Sequence, residues 1–405
     1  MRILKLFAIY FFIVIYSLEL LLFLFISDEQ KNMVDIKNTR VKIATKKKLN
    51  IDLRSPEKVY TELKRKNKNI KPVFLYANHF SSFEVFQEAK KNNLIIPFRG
   101  PINSQTISCA EDLKYKIIKN DQYGFKNSND IYKKKINAIL LGDSYAEGLC
   151  EKSENDIAGN LIKNNINTIN LGVTGSGPLV SLAVLREFGN VFKPKNVIYL
   201  YFEGNDLNDL NYEKNETSLF KYLSSNYDQD YINRYDEIKL FLGKAEKESE
   251  SIIYSKSKNA KTNEKKSNLG LFGAHLQDIA ELNNLRNILK YRILKKQKSV
   301  YDLELFYSVV EKMDYETKKW DGNYVFVYVP TWSRYFTKFT KIDSKINLKN
   351  EILKNLKSKN ITTVDLTEFF DKEKNIKEYY PLGYLGHFNY KGYKKIAEIL
   401  ETRLN

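Results

Sequence analysis

From Ile136 onward, two hydrophobic periods alternate along the chain. The runs "NAILLG", "NVIYLYF" and "NYVFVYV" are continuously apolar after their leading Asn, and with the shorter "NTINLG" they predict strands of a buried sheet. Between them the apolar positions recur every three or four residues. In "SENDIAGNLIKNN", Ile157, Leu161 and Ile162 share one face behind Ser153 and Asp156 as caps, and a second helix is predicted around Pro178 to Phe188, with Pro178 suited to its first turn. After the fourth strand, a helix near Ile346 to Lys357 leads to a short strand in "ITTVDL", and "NYKGYKKIAEIL" predicts an amphipathic closing helix. Strands alternating with helices predict an α/β fold, a three-layer α/β/α sandwich on a parallel five-stranded sheet. Residues from about 212 to 320 break this order with helical, charged sequence and read as an insertion into a domain spanning 136–405. No internal repeat is present.

The amino-terminal pattern is of another kind. Leu6 to Ile26 is a run of 21 residues in which Ser17 and Glu19 are the only frankly polar side chains, enough to predict a membrane-spanning helix within residues 1–27. A cleaved signal peptide is the competing reading, but the apolar core is long for one and "FLFISDEQ" lacks a small-x-small cleavage pattern. Arg2 and Lys5 before the run, with Asp28 and Glu29 after it, predict a cytoplasmic amino terminus at the inner membrane and a periplasmic remainder. Glu19 is costly in hydrocarbon and calls for a partner helix, a proton or a tilt that lets it reach polar groups. Residues 28–70 read as a basic stalk with one short helix near Glu57 to Lys66, and residues 71–135 as an extension of strands and turns packed on the main domain.

Composition changes this picture in two places. The chain has 405 residues, 43% of them hydrophobic, which suits one large domain with additions or two ordinary ones. Its formal charge of +17 comes from lysines spread among Asn and Ile with no nucleic-acid-binding motif, so no nucleic-acid partner is expected. The polar run Gly243 to Asn268 mixes both signs and reads as solvated or disordered. Export also gives Cys109 and Cys150 an oxidising setting, in which they are a disulfide candidate; two free buried cysteines are the alternative. Closing a loop of about 40 residues contributes about 4 kcal/mol on the chain-entropy model.

The candidate chemistry lies where the expected strands end. The first ends in Gly142-Asp143-Ser144, the second in "NLGVTGSG" and the third in Gly204-Asn205-Asp206; His387 in "YLGHFNYKGY" precedes the last helix. Open α/β sheets bind ligands at this carboxyl edge. A hydroxyl, an imidazole and convergent amide donors are what nucleophilic acyl chemistry requires.

With "GDSYAEG", "NLGVTGSG", "EGND" and "GHFNYKGY" in this order, residues 136 to 405 outside the insertion resemble the SGNH (GDSL-type) hydrolase family, which has a flavodoxin-like fold. The resemblance implies Ser144 as nucleophile, His387 as base, and Gly175 and Asn205 as oxyanion donors beside the Ser144 backbone, with no metal and no cofactor. It further implies an esterase acting on O-acyl groups, O-acetyl above all, of a cell-surface polysaccharide or glycoconjugate. Acyl transfer to a sugar hydroxyl is a second reading. A third is a scaffold of envelope polysaccharide assembly whose acyl site has decayed, with the assembly proteins as partners. One departure supports the third: the family's histidine block usually has an acid three residues before His, and here that position is Tyr384. The second ring nitrogen then falls to the Tyr384 hydroxyl, a backbone carbonyl in "PLGYLG" or Glu203, and a Ser144-His387 dyad is expected. Trp332 and Tyr335 are candidates for an acyl or sugar pocket, or for packing under the insertion; His79 and His275 read as structural or surface residues.

Overall fold

Continuous apolar runs need cover on both faces, and the chain supplies it. The structure is a computed structural model and describes residues 2–25, 36–75, 84–91, 97–224, 227–263, 279–280, 282, 285–286, 300–336 and 344–404. Two short antiparallel pairs precede the main sheet: β1 (Phe74–Leu75) with β2 (Arg99–Gly100), and β3 (Ser104–Ile107) with β4 (Ile117–Asn120). Strands β5 (Ala138–Gly142), β6 (Thr168–Asn170), β7 (Asn196–Phe202), β8 (Asn323–Val329) and β9 (Thr362–Asp365) then form one parallel sheet in the order β6-β5-β7-β8-β9. Gly142 pairs with Leu200 across β5 and β7, and Phe202 with Val329 across β7 and β8.

Strand alternation sorts the core into two layers. Ile139, Leu141, Tyr199, Tyr201, Phe326 and Tyr328 face the helices Pro178–Val184, Leu303–Lys318 and Lys349–Ser358, together with Phe98 and Phe125 of the amino-terminal extension. Ala138, Leu140, Ile198, Leu200, Val325 and Val327 face the helices Ile157–Lys163 and Tyr390–Leu404. The expected α/β class and five-stranded parallel sheet are present. Asp156 caps its helix by accepting the Gly159 N–H at 2.8 Å, whereas Ser153 begins a separate 3₁₀ turn, Ser153–Asn155. The helix Leu303–Lys318 lies in the stretch read as an insertion, yet its Phe306, Val309, Val310 and Met313 pack in the sheet's first core.

The run read as solvated or disordered is helical as far as it is described, in Tyr235–Asn263. Ile238, Phe241, Leu242 and Ala245 bury one face, and Glu246 and Glu250 pair with Lys71 and Lys64 at 2.8 and 2.9 Å. Mixed charge here decorates a packed helix.

Residues 1–49 and 257–300 form a separate compact unit. It holds the helices Arg2–Phe25 and Ile36–Lys46, the second of which was not foreseen in the basic stalk. Glu19 is fully buried and accepts the Leu285 backbone N–H at 2.8 Å, so the costly carboxylate is met by a neighbouring backbone donor. Among the described residues no helix is long and apolar enough to cross a membrane, so the expected span is not seen; Ile26, at the end of the apolar run, lies outside the described residues.

Candidate active site

Strand β5 delivers Ser144 through a turn that only glycine can make. Gly142 has φ +134°, and a Cβ there would lie 2.5 Å from the Leu200 carbonyl oxygen. Asp143 then caps the one-turn helix Ser144–Glu147 by accepting the Tyr145 N–H at 2.8 Å. The glycine loop after β6 passes so close that a Cβ on Gly172 would meet the Glu147 nitrogen at 2.2 Å. Glu147 holds that loop: it accepts the Thr174 N–H at 3.1 Å and hydroxyl at 2.7 Å, and pairs with buried Arg99 at 2.7 Å. Burial opposes the Glu147 charge, but Arg99, Thr174 and Lys126 outweigh it and keep the carboxyl below its ordinary range.

His387 comes from the loop before the final helix, two residues ahead of Asn389, whose side chain accepts the Lys391 N–H at 2.9 Å and opens that helix. The imidazole lies on the Tyr145 ring with centroids 4.8 Å apart, and the Tyr145 hydroxyl donates to the Gly386 carbonyl at 3.2 Å. His387 Nε2 is 2.8 Å from Ser144 Oγ. Ser144 also lies 3.4 Å from Asp143 Oδ2, a longer contact than that to the imidazole.

The second ring nitrogen meets a carboxylate that the sequence did not disclose. His387 Nδ1 is 3.1 Å from Glu111 Oε1, and the His387 backbone N–H donates to Glu111 Oε2 at 2.8 Å. The expected dyad is thus a three-membered relay, and the group facing Nδ1 is Glu111 rather than Tyr384, a "PLGYLG" carbonyl or Glu203. Glu203 is engaged elsewhere: it accepts the Tyr328 hydroxyl at 2.7 Å and the Thr331 N–H at 3.0 Å, and it pairs with Arg334. Burial pushes the His387 imidazolium down, but the hydrogen bond and charge of Glu111, joined by Asp143 and Glu147, push it up further, so its pKa is raised.

Glu111 sits in the connection between β3 and β4, which approaches the nucleophile turn from the amino-terminal extension. Cys109, two residues earlier, forms a disulfide with Cys150, with Cα atoms 5.0 Å apart. The Cys150 N–H donates to Ser108 Oγ at 3.1 Å, its carbonyl accepts from Lys116 Nζ at 2.6 Å, and Lys116 also pairs with Glu151 at 3.7 Å, so the disulfide is reinforced by polar ties between the same two loops.

The two expected oxyanion donors stand at the same strand ends. Gly175 turns with φ +74° beside Thr174. Asn205 follows β7, and its Nδ2 donates to Asp209 Oδ2 at 2.6 Å. Carboxylates are dense here: burial pushes Asp143 up to about 6, opposed by the Tyr145 N–H and His387. Burial and Asp143 push Asp209 up to about 7 against Lys345 and Asn205, and burial pushes Glu213 up to about 8 although Gly177 and Leu179 donate to it.

Trp332 and Tyr335 are partly buried against the second core layer. His79 and His275 lie outside the described residues. Donor atoms of Glu111, Cys150 and His387 fall within 4.8 Å of one another, but the Cys150 sulfur is bonded to Cys109 and offers no thiolate to a metal.

No protein-family model and no curated protein matches this chain. Among solved structures it is similar to a protein assigned to the lipolytic G-D-S-L family from Desulfitobacterium hafniense DCB-2, at 13% identity over 66% of this chain and 99% of that one, with a TM-score of 0.36. A likeness this distant adds no argument to the geometry above.

Proposed function

We propose that the protein is a serine esterase that removes O-acyl groups, O-acetyl above all, from a cell-surface polysaccharide or glycoconjugate through an acyl-serine intermediate. The observation that supports it is the unbroken relay from Ser144 Oγ to His387 Nε2 at 2.8 Å and from Nδ1 to Glu111 at 3.1 Å. In this reading neutral His387 takes the Ser144 proton as Oγ attacks the ester carbonyl, and the imidazolium returns it to the departing sugar oxygen. Water, deprotonated by the same nitrogen, then releases the acid and restores Ser144. Glu111 holds the tautomer with Nε2 unprotonated and offsets the imidazolium charge. The Ser144 and Gly175 N–H groups and the Asn205 amide receive the oxyanion. A decayed site has no reason to keep such a relay. The sugar ester as substrate rests on the resemblance of the four sequence blocks.

Location is part of the proposal. A Cys109–Cys150 disulfide fits an oxidising, extracytoplasmic compartment, and the exposed Phe7, Tyr10, Phe11 and Val14 on helix Arg2–Phe25 fit attachment to the inner membrane. Retention of the chain in membranes through an alkaline wash tests the attachment. The central experiment incubates the full chain with an activated acetyl ester and a serine-directed fluorophosphonate. Ser144→Ala is expected to lose both labelling and turnover; equal labelling of wild type and variant overturns the reading.

A further inference from the structure

The Glu111 carboxylate reaches His387 from the tip of a two-stranded hairpin whose last ladder pair is Ile107 with Ile117. Between those residues, the Ser108 N–H donates to the Lys116 carbonyl at 2.8 Å and the Leu113 N–H to the Ala110 carbonyl at 3.0 Å. Neither bond ties the tip to the nucleophile turn. The ties across, among the described residues, are the Cys109–Cys150 disulfide, the Cys150 N–H to Ser108 Oγ, and the Lys116 ammonium to the Cys150 carbonyl and, at 3.7 Å, to the Glu151 carboxylate. Only the first is covalent, and it sits two residues from Glu111. Cys150 is itself buried, six residues after Ser144, and its sulfur lies within 4.8 Å of donor atoms of both Glu111 and His387. Cys109 is partly exposed, which opens the bridge to a small thiol.

We propose that the Cys109–Cys150 disulfide is the positioning element that holds Glu111 on His387, so that the base is fully competent only in the oxidised protein. The inference rests on the relay described above and adds to it a dependence on redox state. A dithiol reductant supplies two electrons and two protons, converts the bridge to two thiols and leaves as its own cyclic disulfide. The hairpin then keeps the Ser108 and Lys116 contacts to the nucleophile turn but no covalent tie beside Glu111, and Glu111 spends less time against Nδ1. His387 loses the partner that fixes its tautomer and favours its charged form. The other groups around the ring, Asp143, Glu147 and Tyr145, belong to the strand-end turn and stay in place.

The test combines a double-mutant cycle with a readout that needs no turnover. The full chain has three histidines, so His387 is assigned in spectra of histidine-labelled protein by its loss in His387→Asn. Its titration is followed in wild type, in wild type reduced by a dithiol with a chelator present, in Cys109→Ser/Cys150→Ser, and in Glu111→Gln. Reduction and the double-serine variant, which carries no thiols, are expected to lower the His387 pKa in the same direction as Glu111→Gln. In the ester assay they are expected to cost at least about tenfold in kcat, with less than about twofold further loss when the bridge is removed from Glu111→Gln. Reoxidation is expected to restore wild-type behaviour, which separates release of Glu111 from unfolding. An unchanged His387 titration on reduction, or an equal loss of kcat with and without Glu111, overturns the proposal. A chain that turns over no ester still reports through the titration, so failure of the esterase reading and failure of this one are told apart.

Discussion

Two regions meet at His387, and they hold their functional groups by different means. Ser144 stands at the end of β5, whose Ala138 to Leu141 are fully buried and whose backbone is laddered to β6 and β7 on either side. Moving it means disrupting an interior strand of the sheet. Glu111 stands at the tip of a hairpin held to the nucleophile turn by one disulfide and a few polar contacts from Ser108 and Lys116. Such a tip opens at a free energy well below that of global unfolding once a tether is lost. A group fixed by a sheet therefore responds to substitution through its own chemistry. A group fixed by tethers responds to each tether as well.

The largest effect expected from probing this difference is at the tethered side. Glu111→Gln keeps the shape of the side chain but removes the charge opposite Nδ1 and allows the wrong tautomer, which in serine hydrolases costs about 10³ to 10⁴ in kcat. The sign of the accompanying pH effect follows from the ring. Glu111 raises the His387 pKa, and on the proposed mechanism the base works only when neutral, so wild-type kcat/KM is expected to fall off on the acid side at a pH above the ordinary imidazole value of about 6.5. Without Glu111 that acid limb moves to lower pH while the plateau drops. A pH–rate profile of the two proteins measures both. A lowered plateau with an unmoved limb would break the comparison, because Glu111 would then act on the fold and not on the ring.

The sheet-edge side is sharpened by Asn205→Ala: with Asn205 as the proposed oxyanion donor, its loss is expected to cost about 10² to 10³ in kcat. Its acid limb should move far less than that of Glu111→Gln, since Asn205 bonds Asp209 and Asp143 and reaches the imidazole only through the Asp143 charge. Unchanged kcat with a raised KM would make Asn205 a substrate-binding residue.

The same contrast governs what the sequence reveals. The interior strands β5, β7 and β8 are continuous apolar runs because both faces are covered, and this pattern survives without any knowledge of neighbours; the edge strands β6 and β9 are shorter and more polar. Ser144, Gly175, Asn205 and His387 could be singled out as candidates because strand ends and the final helix cap place them by local order. Glu111 has no such marker: an acid in "SCAED" between two short strands follows no period, and its partner lies 276 positions along the chain. One signal pointed there. The pairing of Cys109 with Cys150 joins this loop to the end of the serine block, and a covalent bond to that block brings the carboxylate beside it close to the nucleophile. The helix Leu303–Lys318 was obscured for a different reason: Phe306, Val309, Val310 and Met313 have helical spacing, but charged residues surround them in a long polar stretch.

The smallest effect is expected at Tyr384, and it tests whether the hairpin tip is needed at all. Tyr384 occupies the position from which the His387 loop itself could orient the ring, three residues before it and just after the turn Pro381–Gly383. If the loop were self-sufficient, the tether to the extension would be decoration. The Nδ1 atom, however, faces Glu111 at 3.1 Å, and the His387 backbone N–H is bound to the same carboxylate, so ring and main chain are fixed together by one group. A phenol cannot offset the imidazolium charge as a carboxylate does. Tyr384→Phe is therefore expected to cost less than about tenfold in kcat and to leave the acid limb of the pH profile where it is in wild type. A loss matching that of Glu111→Gln, with the same movement of the limb, would transfer the orienting role to the His387 loop and remove the distinction between the two regions.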